Sequence, residues 1–160
     1  MVTGLGAVTP LGLGATTLHD RWAAGEVGIA EGAGACAEFR PGEHLSVKEV
    51  RRLDRFAQFA VVAANEAILD AKLPEDEDFK ERVGSVLGTG IGGIITFWQQ
   101  SIKANEFGTW ARTSPFFIPM LMSNAATAHI SMRFGFRGPF FSAGSACASA
   151  NDAVAVAYNY

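Results

Sequence analysis

Cysteine is scarce in this chain: Cys36 and Cys147 are the only two in 160 residues. Two are too few for a disulfide framework, and they lack the paired spacing of a zinc site, to which only His19, His44 and His129 could add ligands. No metal is expected, and a reduced, cytoplasmic setting is the default. An excess of positive charge is missing too. With 13 Lys and Arg against 16 Asp and Glu the formal charge is −3, so no global positive field exists to hold nucleic acid or an anionic membrane. An anionic partner has to meet a local patch. Neither Lys nor Arg precedes Arg21, so the charged start of a secretory signal is not visible. Long hydrophobic runs are also lacking. Phe59 to Ala64 and Phe116 to Met122 fall well short of the roughly 18 residues that a spanning helix needs.

What is present is apolar and glycine-rich. At 49% hydrophobic and 18% charged residues the chain can bury a real core. It opens on Val2-Thr3-Gly4-Leu5-Gly6, which reads as the tail of a strand, and it stops at Tyr160 inside an apolar helical pattern. Both ends suggest a piece of something longer.

Gly4 to Gly14 reads as a strand end and a Gly/Pro loop, and Leu18, Trp22 and Ala23 mark a short helix that Gly25 ends. Gly25 to His44 has no clear period and reads as a surface excursion. Ser46 and Glu49 then form a capping box, and Val50, Leu53, Ala57, Ala60, Ala64, Ile68 and Ala71 recur at helical spacing. Leu73-Pro74 ends that helix, an acidic loop follows from Glu75 to Glu81, and Val83 to Thr89 has the weight of a buried strand. A Gly-rich turn leads to a helix from Ile94 to Ala104. Pro115 to Pro119 is an apolar loop, Met120 to Phe134 is helical, and Gly135 is its C-terminal stop. Phe140 to Ala143 is a short strand. A last helix, Cys147 to Tyr160, is apolar nearly all round, as helices in the middle of a protein are. Strands alternating with helices argue an α/β layered fold with a largely parallel sheet.

Gly88-Thr89-Gly90-Ile91-Gly92-Gly93 formally matches G-x-G-x-x-G between a strand and a helix. The fingerprint also needs a second parallel strand ending in an acidic residue about 20 positions later. Here the chain runs instead into Thr113, Ser114 and a Pro-Phe-Phe loop. The reading preferred is close backbone approach at a strand end, and no nucleotide cofactor is expected.

Cys147 follows a strand by the tight turn Gly144-Ser145-Ala146 and opens a helix, the placement of a nucleophile elbow. Unpaired N–H groups and the positive end of the dipole at a helix start favour a thiolate, and the same N–H groups can form part of an oxyanion hole. The alternative is that cysteine here is simply a small buried hydrophobe. Cys36, in a Gly/Ala-rich loop without such a turn, keeps that plainer reading.

Lys48, Arg51, Arg52 and Arg55 lie at i, i+3, i+4 and i+7, one stripe on the first turns of the capped helix. Cations there oppose the helix dipole, so a partner of opposite charge is one reason for them. The alternative is a solvated face paired locally to Glu49 and Asp54.

Val2 to Gly12, Lys48 to Phe56, Gly88 to Gly93, Ser114-Pro115-Phe116-Phe117-Ile118-Pro119, Gly135 to Pro139 and Ser145-Ala146-Cys147-Ala148-Ser149 together resemble, in order and spacing, the β-ketoacyl-acyl-carrier-protein synthases. The nearest branch is the elongating type II enzymes and the related polyketide ketosynthases. The resemblance runs from Val2 to about Val154. It implies a thiolase-like layered α-β-α-β-α fold, of which residues 1–160 supply the N-terminal half, and a homodimer in the full-length protein. It implies that Cys147 takes an acyl group from acyl-carrier protein as a thioester, and that malonyl-carrier protein then loses carbon dioxide and attacks it. Ile91 and Phe117 match residues of the acyl pocket, with Phe116 beside them, and Lys48, Arg51 and Arg52 match a basic helix that meets acyl-carrier protein. An apolar slot suits an alkyl chain, which gains about 0.8 kcal/mol per buried CH₂. The family's two catalytic histidines, a supporting lysine and the second oxyanion donor lie in its C-terminal half, and His19, His44 and His129 match none of those motifs. Ala150 stands where the family usually has glycine. Two other readings stay open at this level: a thiolase acting on coenzyme A thioesters, and a non-catalytic carrier-binding and dimerisation module.

Overall fold

The computed structural model describes all 160 residues. A short antiparallel hairpin, β1 (Val8–Thr9) with β2 (Gly12–Leu13), leads into α1 (Ala15–Ala23). Two carboxylates on a later helix fasten this segment. Glu66 accepts the N–H groups of Ala7 at 2.9 Å and Ala15 at 2.8 Å, and Asp70 accepts that of Leu5 at 3.0 Å.

The Ser46 capping box is present: the Ser46 hydroxyl accepts the Glu49 N–H, and Glu49 accepts the Ser46 N–H at 2.8 Å. The helix it starts is shorter than the apolar period suggests. α2 spans only Val47–Arg52; Leu53 is extended, and a second helix, α3 (Arg55–Ala71), begins at once. Asp54 causes the break. It is 3% exposed, and one carboxylate oxygen caps α3 through the Phe56 N–H while the other accepts the Thr96 N–H at 2.6 Å. The break leaves the first N–H groups of α3 without helical acceptors, and the Asp54 carboxylate supplies one while also holding α5.

The acidic loop contains one helical turn, α4 (Glu77–Lys80), capped by Asp76. β3 (Ser85–Gly88) follows, then α5 (Ile94–Phe107) and α6 (Phe117–Leu121). The expected helix from Met120 to Phe134 is interrupted at Met122 to Asn124, so α6 and α7 (Ala125–Phe134) are separate; Gly135 stops α7 in the left-handed conformation as expected. β4 (Phe140–Ala143) pairs with β3 in parallel, Ser85 opposite Phe140 and Gly88 opposite Ala143. α8 (Ser149–Asn159) closes the chain.

The parallel pair needs a long crossover, which α5, α6 and α7 provide. α7 and α8 both pack on β3 and β4, and α3 packs on α7. Leu45, Leu53, Ala57, Val61, Ala126 and Ile130 form the buried core between them, joined by Leu87 from β3. α8 departs from the expectation of a central helix. Only Ser149 and Ala153 are buried in it, while Val154 is 71% exposed and Tyr158 87%. Trp98 and Ile94 on α5 are likewise exposed, so much apolar surface of this chain is uncovered.

Candidate active site

β3 and β4 end level with one another, and two loops leave their carboxyl ends side by side. The ladder continues one step, Thr89 N–H donating to the Ala143 carbonyl at 3.2 Å. After β4 the chain turns through Gly144 and Ser145, and Ala146 takes φ +50°. Positive φ in a residue with a Cβ is uncommon, and here it is what turns a strand sharply into a helix. Cys147 is the middle residue of a 3-10 turn, Ala146–Ala148, that runs into α8. Its side chain is exposed and free, and its own N–H meets no acceptor in the chain. The elbow expected from the sequence is therefore built, with an accessible sulfur at the end of the sheet. The alternative of a buried hydrophobe does not describe Cys147.

The glycine loop after β3 lies alongside. A Cβ on Gly88 would fall 2.2 Å from the Ser149 carbonyl oxygen, and one on Gly93 would fall 2.2 Å from that of Met120. Gly93 N–H donates to Leu121 at 3.0 Å. The loop is packed against α6 and α8, which is the close approach preferred above to a phosphate cradle.

Ile91, Phe116 and Phe117 occupy three different surroundings. Ile91 is 67% exposed on the glycine loop. Phe117 stacks with Trp110 at 5.9 Å and with Phe97 at 6.3 Å between ring centroids. Phe116 lies instead beneath the Arg52 guanidinium, 4.4 Å from its ring centroid. Together with Val47, Lys48, Arg51, Arg52 and Ser114 it lines an open groove of about 590 Å³.

The basic stripe is three residues, not four. Arg55 belongs to α3 and is spent inside, between the rings of Phe39 (4.6 Å) and Phe59 (4.8 Å), donating to the carbonyls of Cys36 and Phe39 at 3.3 Å. Lys48, Arg51 and Arg52 remain together, and no carboxylate lies within 4.0 Å of any of them. The local partners considered above are engaged elsewhere: Glu49 holds Ser46 and Arg133, and Asp54 holds backbone N–H groups. Burial would raise the Glu49 carboxyl, but the Ser46 contacts and the Arg133 guanidinium outweigh it and hold the group below its ordinary value. His129 on α7 is pushed below its ordinary value by burial, with Glu49 opposing and Arg52 adding to the shift. Burial pushes the half-buried Cys36 thiol up against the opposing charge of Arg55. Nowhere do three His, Cys, Asp or Glu side chains gather as a metal site would require.

Two residues of this region escaped sequence reasoning. Ser149 is buried against the elbow, and Asp54 bolts α3 to α5. The only sequence signal for Ser149 was its position two residues beyond the cysteine, and for Asp54, read as lying within one continuous helix, there was none.

The model of the β-ketoacyl synthase N-terminal domain matches residues 36–160. This chain belongs to the β-ketoacyl synthase family. It is 35% identical to 3-oxoacyl-[acyl-carrier-protein] synthase 2 of Staphylococcus aureus over 99% of this chain and 42% of that protein. The synthase of the same description from Synechocystis is also 35% identical, with 99% and 41% covered. The chain thus spans under half the length of these relatives. Among solved structures, the ishigamide ketosynthase/chain length factor superposes with TM-score 0.84 at 22% identity, covering 99% of this chain and 47% of that one. A type II polyketide synthase ketosynthase, solved with its acyl-carrier protein, gives TM-score 0.83 at 20% identity, covering 99% and 45%. These likenesses show a thiolase-like fold, of which this chain covers the N-terminal half.

Proposed function

We propose that this chain is the nucleophile-bearing half of an elongating β-ketoacyl-acyl-carrier-protein synthase, an acyltransferase of fatty-acid or polyketide synthesis. The observation that carries the proposal is the exposed Cys147 on a strained elbow, with its own N–H unpaired beside it. The Cys147 sulfur attacks the carbonyl carbon of an acyl thioester; a new C–S bond forms, and the carrier's thiol leaves with the proton. Malonyl-carrier protein then loses carbon dioxide, its enolate carbon attacks the Cys147 thioester, and the sulfur is released as the C–C bond forms. The Cys147 N–H is one donor to the oxyanion in each step. The histidines and the second donor come from the C-terminal half of the complete protein, which works in the cytoplasm as a homodimer. Apolar surface left uncovered on α5 and α8 supports burial against that half and a second subunit.

Ile91 and Phe117 serve as acyl-pocket residues, an apolar slot being what an alkyl chain requires. Phe116 borders the pocket side of the basic groove. Lys48, Arg51 and Arg52 receive acyl-carrier protein; their freedom from internal carboxylates supports this, because unpaired cations retain their full attraction for an acidic surface. No metal or organic cofactor enters these steps. The test is condensation by the complete protein, supplied with acyl- and malonyl-carrier protein. A product two carbons longer is expected, lost in Cys147→Ala; condensation retained in that variant would overturn the proposal.

A further inference from the structure

Ser149 is 3% exposed at the first position of α8. Its hydroxyl accepts the Ser145 N–H at 2.9 Å and donates to the Ala146 carbonyl at 2.6 Å. The Ser149 N–H donates to that same carbonyl. One buried side chain therefore ties both residues that precede Cys147. What it ties is strained, for Ala146 sits at φ +50° without the freedom a glycine would have. The carbonyl of Ala146 and the N–H of Cys147 belong to one planar trans peptide, so they point in opposite directions. Drawing the carbonyl inward to Ser149 turns the Cys147 N–H outward, where it meets no acceptor in the chain.

We infer that Ser149 is a positioning residue for Cys147: its hydroxyl fixes the Ala146–Cys147 peptide so that the Cys147 N–H faces the carbonyl oxygen of the acyl group. The inference rests on the reading of Cys147 as the acylated nucleophile. It separates two reactions of the same sulfur. Acyl transfer passes through an oxyanion that the N–H stabilises, whereas alkylation by iodoacetamide displaces iodide at a saturated carbon and builds no oxyanion. Loss of the Ser149 hydroxyl therefore slows the first reaction and spares the second.

The experiment compares Ser149→Ala, Ser149→Thr and Cys147→Ala in the complete protein. Acyl-enzyme formation from saturating acyl-carrier protein and the rate of iodoacetamide labelling at Cys147 are measured in each. Ser149→Ala is expected to slow acylation about 10- to 100-fold, by analogy with loss of an oxyanion donor, with KM little changed. Labelling by iodoacetamide should stay within about 3-fold, since it depends on the thiolate alone. Ser149→Thr, which keeps a hydroxyl on the same carbon, should restore acylation. Unchanged acylation in Ser149→Ala, or an equal fall of acylation and alkylation, would overturn the positioning role while leaving Cys147 the nucleophile. Acyl label persisting in Cys147→Ala would overturn both. If Ser149→Ala does not fold, Ser149→Cys replaces it, keeping the volume with only a weak S–H donor; the same split between the two reactions is expected, and an equal fall in both overturns the role.

Discussion

The carbonyl oxygen of Ser149 lies 2.2 Å from the point where a β-carbon on Gly88 would stand. The end of β3 and the start of α8 touch through backbone alone, so the elbow bearing Cys147 is seated directly on the sheet. Gly88→Ala is therefore expected to destabilise the protein by about 3 kcal/mol and to lower acylation of Cys147 with it. Urea unfolding together with acyl capture checks this; a fully stable and active variant would show that α8 is not seated there.

Asp54 serves two donors from burial, capping α3 through Phe56 and accepting the Thr96 N–H at 2.6 Å. Asp54→Ala removes the cap, and it also leaves a buried N–H on α5 without an acceptor. The loss should reach about 2–4 kcal/mol, read as a fall in the denaturant midpoint at unchanged slope.

How far the sequence reached is clearest at these two sites. The capping box at Ser46, the stop at Gly135 and the elbow at Cys147 were legible because each rests on contacts within a few residues, and the strand Phe140–Ala143, though it pairs 55 positions away, because a short apolar run before a tight turn marks it. The break at Asp54 was not. Its cause is the Thr96 N–H, 42 positions away, and the helical period of apolar residues continues across it without a gap. Arg55 was misplaced for the same reason: spacing put it on the basic face, whereas Phe39 and Phe59 hold it inside. Helix α8 looked central because its composition is apolar, but within this chain only Ser149 and Ala153 of it are buried.

Charge reversal separates the two kinds of arginine. Arg51→Glu is exposed and unpaired, so it should leave stability within about 0.5 kcal/mol while lowering kcat/KM for an acyl-carrier-protein substrate about 10-fold or more, an effect that shrinks as salt rises. Arg55→Glu should instead destabilise the fold, since it would set a carboxylate against the two rings and leave the Cys36 and Phe39 carbonyls without their donor. Steady-state kinetics at two ionic strengths and thermal melts distinguish them; equal behaviour of the two variants would remove the case for a docking face.

Acid should weaken the fold in two stages. His129 has a folded pKa below its unfolded value of about 6.5, so its contribution is present above that pH and is lost as pH falls through it toward the folded value. Glu49 is also depressed, so its contribution is present above about pH 4.3 and is lost as pH falls through the still lower folded value. His129→Gln should flatten the first stage of a plot of Tm against pH, and Glu49→Gln the second. Curves that superimpose on that of the unsubstituted protein would refute both assignments.

The most direct measurement is the intact mass of the complete protein after incubation with a medium-chain acyl-carrier protein, beside the Cys147→Ala variant. One acyl group per chain, mapped to the Cys147 peptide and absent from the variant, is the result predicted. An adduct of equal extent in Cys147→Ala, or acyl transfer to a residue other than Cys147, would contradict the account.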